Sequence, residues 1–538
     1  MHDALAISDI LCSIFKFTNT QTNISCVRVC KSWHEVVLNV LWYHVDRLER
    51  LLKLLGPMAE MSPGILTFVQ YHIPSDRWER FFFYANRVRQ LECTEGYPEI
   101  HHRSFATLSI SRPVLHVLPN VTHLTWKKDP ARPSASLTLC LMFLTPNLKS
   151  LSVRTGLGSI QADLFAIDNF FRNVVVRSPL IEHIDFRSEI PFHNIGPVLS
   201  KFLSSLSHLK SVRLSDSLLS SDLVTALAKC PDLEAIRIAD PEEPTNRGQE
   251  LADLENFMPV LRDGAFPSIK IMQFKAHLWN ATRFLQSLFP ASRLQSLAIR
   301  TLRYEPHENI GGLFSVVAEA CPGIQDLELS IDFAVENEEN EPIPFAVLEP
   351  LLQCGSLVQF TICAPSPLDL DDAGAALLAS HWPKMQVLNL NSSPLPRHPE
   401  RIRLTFTALN SFATHCPSLR HLGICVRPLV PPLKARTPLR KLVTFTFSVS
   451  DYGFDFEELA LFLTDVLPSK CRIVGKAVYP MLADVNNTVH SHFARSQLLL
   501  EKTLGLLDML RRVHGKYSER LRALEEEVLR LKVESTAK

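Results

Sequence analysis

Seven basic residues, Lys127, Arg154, Arg187, Arg213, Arg237, Lys275 and Arg300, recur at equivalent places in a repeating frame. An arginine presents a planar fork of donors suited to carboxylate or phosphate oxygens, so such a series points to holding an anion rather than to making or breaking bonds. Bond-making chemistry has little to stand on. There is no Gly-rich phosphate loop with its lysine, no Gly-x-Ser-x-Gly elbow and no His-Glu-x-x-His. His101-His102 and His490-x-His492 are pairs without the third and fourth ligands that a metal site needs. The 12 cysteines are scattered, with no Cys-x-x-Cys, and read as reduced core thiols. A non-catalytic chain with no cofactor and no metal is expected.

The frame that places the basic residues is an apolar residue, two variable ones, an apolar residue, one variable one and a further apolar residue. It runs from Val121-Leu124-Trp126 and Leu148-Leu151-Val153 to Met385-Leu388-Leu390 and Leu419-Leu422-Ile424. Val88-Leu91-Cys93 and Leu442-Phe445-Phe447 are less regular end members. The period-two part predicts a short strand, and segments between frames, such as 221–229 and 313–321, have helical spacing. Cys230, Cys321 and Cys416 each precede a proline that ends a helix before the next strand. One such unit buries its leucines only against its neighbours, so the units must stack into a curved α/β solenoid. Side chains alternate along a strand, which puts the basic residues on its open face. Like charges side by side on neighbouring strands are mildly destabilising, so folding alone does not call for them. They suit an acidic or phosphorylated segment of a client protein; equally, they suit long side chains that lie along the strands with their charges in water, Asp185 neutralising one of them.

The first forty-five residues stand apart. Ile7, Ile10, Leu11, Ile14 and Phe15 recur at helical spacing, followed by Ile24, Val27, Val29 and Cys30, and then Trp33, Val36, Val37, Val40 and Leu41. So small a unit cannot enclose Trp33 and Trp42 together with its aliphatic side chains, and it wants a partner. The stretch resembles the F-box, on Leu5 and Ile7 at the entry, Ile10-Leu11 and Ile14-Phe15, Val29-Cys30-Lys31 with Trp33, and Leu41-Trp42. Ala6-Ile7 stand where that family commonly has a Leu-Pro pair. The resemblance implies docking onto the Skp-family adaptor of an SCF-type cullin-RING ubiquitin ligase through Leu5, Ile7, Ile10, Leu11, Ile14, Phe15, Val29, Cys30, Trp33, Leu41 and Trp42. The repeats resemble the leucine-rich repeats of F-box proteins, and the opening and the 46–55 continuation, which reads as one further helix ended by Gly56-Pro57, are similar to F-box proteins of mushroom-forming fungi. The bland alternative is a helical cap on a repeat scaffold outside any ligase.

Composition sets bounds. With 46% hydrophobic and 21% charged residues the chain can build a long core, and equal numbers of acidic and basic residues, 56 each, exclude a general attraction to nucleic acid or anionic membrane. No apolar run reads as a signal peptide or a membrane span, so a soluble cytoplasmic or nuclear protein is expected. The expected division is an F-box-like module over 1–56, a connector and cap over 57–85, repeats over 86–450, a cap region over 451–485 and a long amphipathic helix over 486–538. In the last segment Gly505 and Gly515 weaken the first part, which favours a stable helix only over 517–533. Its heptad-like seam suits either self-association or packing on the repeats.

Overall fold

The computed structural model describes residues 7–70, 72–94, 99–127, 137–155, 160–188, 192–215, 218–239, 257–288, 293–332, 341–394, 401–429, 437–449, 455–477 and 497–513, with 516, 520 and 524. The chain divides into two compact units: residues 1–250 with 259–269, and residues 251–258 with 270–538.

The first unit opens with three helices, α1 (Ser8–Phe17), α2 (Thr20–Cys26) and α3 (Lys31–Leu41), then β1 (His44–Val45) and α4 (Leu48–Leu52). Next come β2 (Met58–Ser62), β3 (Ile65–Phe68), α5 (Ser75–Ala85), β4 (Gln90–Thr94), β5 (Glu99–Ile100) and β6 (His123–Lys127). The strands β7 (Ser150–Thr155), β8 (His183–Ser188), β9 (Ser211–Leu214) and β10 (Ala235–Ile238) complete it, with helices such as Ile160–Arg177 and Ser221–Leu227 between them. β1, β4, β6, β7, β8, β9 and β10 lie side by side in that order, all parallel. The frame explains the register. Leu91, Leu124, Leu151, Ile184, Val212 and Ile236 form one buried row across the strands, and Val88, Val121, Leu148, Ile181, Leu209 and Leu233 a second just before them. At each step one carbonyl accepts from two successive amides of the next repeat. Arg89 O takes Thr122 N and His123 N, Thr122 O takes Lys149 N and Ser150 N, and Lys149 O takes Glu182 N and His183 N.

The second unit repeats the plan. Strands β11 (Ile271–Lys275), β12 (Ser296–Thr301), β13 (Asp326–Ile331), β15 (Gln359–Cys363), β17 (Val387–Leu390), β18 (His421–Val426), β19 (Thr444–Val449) and β20 (Arg472–Ala477) pair in parallel. A small side pair joins β14 (Ile343–Pro344) and β16 (Leu368–Asp369). Each unit thus stacks α/β repeats on a parallel sheet, as the frame predicts, and the first opens with three short helices. Cys230, Cys321 and Cys416 are buried at the helix exits, and all 12 cysteines are free.

Three expectations need correction. Val27, Val29 and Cys30 are not helical positions; α2 ends at Cys26 and Cys30 is the N-cap of α3. The continuation after residue 46 is helical only over Leu48–Leu52, with turns to Leu55. The third concerns the carboxyl-terminal segment, where the part before Gly515 is helical too, over 497–513, and the described residues beyond it, Lys516, Arg520 and Leu524, are helical. Its Leu500, Thr503 and Leu507 are buried, Arg511 donates to the carbonyls of Cys471 and Pro468 at 2.7 and 3.1 Å, and Gln497 accepts from the amide of Ala477. This packing against β20 outweighs the helix weakening by Gly505. Of 517–533 only Arg520 and Leu524 lie among the described residues, and Leu5, His490 and His492 lie outside them.

Candidate functional site: two surfaces of the first unit

α1 begins at Ser8 with Ile7 at its N-cap, and its apolar residues fill two adjoining stripes. Leu11 and Phe15 face inward, in a small core with Val36 and Val37 that Cys12, Cys26, Val27, Trp33, Val40 and Leu41 cover. Phe15 meets the Trp33 ring edge-on at 5.3 Å between centroids. At about 100° per residue, Ile7, Ile10, Ile14 and Phe17 fall within an arc of about 80° beside them. That arc is uncovered: the four residues are 51%, 40%, 41% and 94% exposed. Ile24 and Val29 are exposed as well. An apolar stripe of this length left in water on a short helix marks a contact surface.

The end of α1 is fixed by buried Asn23, which donates to the carbonyl of Phe15 at 2.9 Å and accepts from the hydroxyl of Thr18 at 2.6 Å. The side chain of Asn19 accepts from Thr22 N and caps α2. In α3, the His34 ring pairs with the carbonyl of Val27 at 3.1 Å. Cys30 bonds Ser32, and that hydrogen bond lowers its thiol pKa from the ordinary value.

Trp42 points the other way. It lies on Tyr84 of α5 at 4.8 Å, while Arg87 reaches Glu35 at 2.7 Å, bonds Asn39 and covers the Phe83 ring. The carbonyl of Tyr43 accepts from Arg89 N and Gln90 N, the first rung of the same ladder that links the later repeats. Of the residues expected to dock an adaptor, Leu11, Phe15, Trp33 and Leu41 therefore serve the core of the module, and Trp42 serves its joint with α5. Ile7, Ile10, Ile14 and Val29 remain open, and Phe17 joins them. Position 17 carries a signal in the sequence, an aromatic one turn beyond Ile14, although it lies outside the family pattern.

The basic residues separate as well. Lys127, Arg154 and Arg187 stand in one row across β6, β7 and β8, and Arg213 and Arg237 face each other on β9 and β10. Charge partners are present: Lys127 lies 3.9 Å from Glu92, and Arg187 donates to Asp185 at 3.2 Å. Arg237 donates to Ser211 Oγ at 3.3 Å. Lys275 and Arg300 belong to the second unit. Lys275 is only 7% exposed and does not lie on an open face, because its long stem is packed; Arg300 is paired with Asp332. The expected single series of seven is thus a group of five in one unit and, in the other, one buried lysine and one paired arginine.

The pattern of the amino-terminal helices is decisive. Residues 8–48 form an F-box-like domain. No curated protein matches the chain, so the narrower likeness to the fungal set has no relative to rest on. Solved structures similar to it are a TLR13–ssRNA13 complex, the yeast Rad7–Elc1 complex and an internalin from Listeria monocytogenes. The first is 12% identical with a TM-score of 0.34, over 78% of this chain and 53% of that one. The second is 16% identical with a TM-score of 0.38, over 63% and 76%. The third is 11% identical with a TM-score of 0.29, over 79% and 94%. The chain spans about half the length of the first of these. Among the described residues no helix is long and apolar enough to cross a membrane, and no cluster of His, Cys, Asp and Glu could hold a metal.

Proposed function

We propose that the chain is a non-catalytic adaptor of an SCF-type cullin-RING ubiquitin ligase. The F-box-like domain docks a Skp-family adaptor through Ile7, Ile10, Ile14 and Phe17, and the repeats receive a client protein. The observation that carries this reading is the uncovered apolar arc of α1 in a domain whose Leu11, Phe15, Val36 and Val37 already form the core. Covering such an arc is the standard source of binding energy at a contact core. The client is held on the exposed side of the first unit by an acidic or phosphorylated segment that meets Lys127, Arg154, Arg187, Arg213 and Arg237. The chemistry is proximity: a client held beside a charged conjugating enzyme meets its ubiquitin at a high effective concentration.

A second reading, a repeat scaffold outside any ligase, draws support from the joint of Trp42, Tyr84 and Arg87, which makes the helices a cap on the sheet. A cap needs no uncovered arc. Co-purification with the Skp-family adaptor and cullin of the same organism tests the choice. The intact chain is expected to bring both down and an Ile10→Glu/Ile14→Glu variant to lose them; an intact chain that brings down neither leaves the scaffold.

A further inference from the structure

The exposed side of the first unit carries a row of histidines beside its cations. Across the strands the first row reads His44, Gln90, His123, Ser150, His183 and Ser211. Histidine therefore stands on alternate strands, about 10 Å from one to the next at a strand spacing of about 4.8 Å. All three histidines are exposed. Two residues further along the same strands runs the row Glu92, Thr125, Ser152, Asp185, Arg213 and Arg237, and two further again Lys127, Arg154 and Arg187. Five permanent cations thus face two carboxylates, and three imidazoles stand next to them. None of these rows contains a Trp, Tyr or Phe among the described residues, which removes the stacking platform of a single-stranded nucleic-acid site.

We propose that this face is a receptor for an anionic peptide segment laid across the strands, and that its grip tightens as His44, His123 and His183 take up protons. The inference rests on the client-receptor reading above. Neutral imidazoles leave a net charge of about +3 on the three rows, and three protons double it. His44 Nε2 lies 3.5 Å from Glu92, whose other oxygen faces Lys127. His123 shares a hydrogen bond with Thr122 and lies between Gln90 and Ser150. For His183, burial lowers the pKa from its ordinary 6.5, Glu182 opposes this, and Lys210, His123 and Arg237 add to it. An anion laid over the row favours the charged form of His183.

The test uses the full chain and a fluorescent Glu-rich peptide at low salt. Affinity is expected to rise about tenfold between about pH 7.5 and about pH 5.8. A His44→Gln/His123→Gln/His183→Gln variant, with unchanged circular dichroism and melting, is expected to hold a constant affinity over that range. Arg213→Ser/Arg237→Ser is expected to weaken binding at both pH values. A phosphoserine peptide is expected to gain less on acidification, because its second proton returns near pH 6. No binding by the intact chain, equal tightening in the histidine variant, or stronger binding of an RNA oligomer of equal charge would each overturn the proposal. Adaptor docking is read separately in the Ile10→Glu/Ile14→Glu variant, which keeps peptide binding, so failure of one claim is distinguishable from failure of the other.

Discussion

Glu182 sits between two lysines, 2.8 Å from Lys210 and 3.3 Å from Lys149, and their hydrogen bonds hold its carboxyl at about 2 against an ordinary 4.5. A carboxyl depressed in the folded state adds stability above its ordinary pKa and loses it as the pH falls through the folded value. Glu182→Gln is therefore expected to be less stable than the parent near neutral pH, with the gap closing between pH 4.5 and about 2. Urea midpoints across that window check it; a constant gap contradicts it. Glu305 is a second, deeper carboxylate. It accepts from Leu278 N at 2.9 Å, from His277 and the hydroxyl of Thr301 at 3.1 Å, and from Asn309 at 3.1 Å. Glu305→Ala leaves the buried amide and hydroxyl without their acceptor and is expected to cost about 2–4 kcal/mol by chemical denaturation. Neither role was legible in the sequence, because Glu305 lies outside the frame and two of its four donors, His277 and Leu278, come from a separate stretch of chain.

At the scale of elements, the frame was legible because a half-buried strand must alternate, and the apolar positions it names are buried in the strands from β4 to β19 where described, except Cys93 and Ile238, which are half-buried. β20 escaped it for a physical reason. In register, Ile473 lies beside Phe445 and Gly475 beside Phe447, so a glycine stands where the frame has an apolar residue. The missing side chain is supplied from outside: a Cβ on Gly475 would lie 3.2 Å from both methyl groups of Leu500. α1 was half legible. Helical spacing showed its apolar residues but could not say which stripe faces inward, because Leu11 and Phe15 are no more apolar than Ile10 and Ile14. Arg87 belongs to this scale too, since it ties α3 to the sheet. Arg87→Ala is expected to speed amide exchange in α3 and β1 at least about tenfold by loosening the joint, while adaptor affinity stays the same. Unchanged exchange would show that Trp42 and the Tyr43 rung suffice.

Considered as a whole, the chain places both proposed surfaces in its first unit, while in the second unit the helix over 497–513 covers β20, the last strand among the described residues. Leu500 and Leu507 are buried against that end. An open strand edge is a site for unwanted pairing, and Leu500→Asp/Leu507→Asp is expected to cost about 3 kcal/mol or more and to promote aggregation. Light scattering during a thermal melt reads both effects, and a variant that melts and scatters like the parent refutes the capping role. The claim on which the functional reading turns is that α1 docks through its outer stripe. Calorimetric titration of the Skp-family adaptor into the full chain, beside Ile10→Glu/Ile14→Glu and Arg213→Ser/Arg237→Ser variants of verified fold, tests it most directly. The account predicts saturable binding by the parent, a loss of about 100-fold or more in the α1 variant and no change in the arginine variant. Equal affinity in the α1 variant, or no binding by the parent, would contradict it.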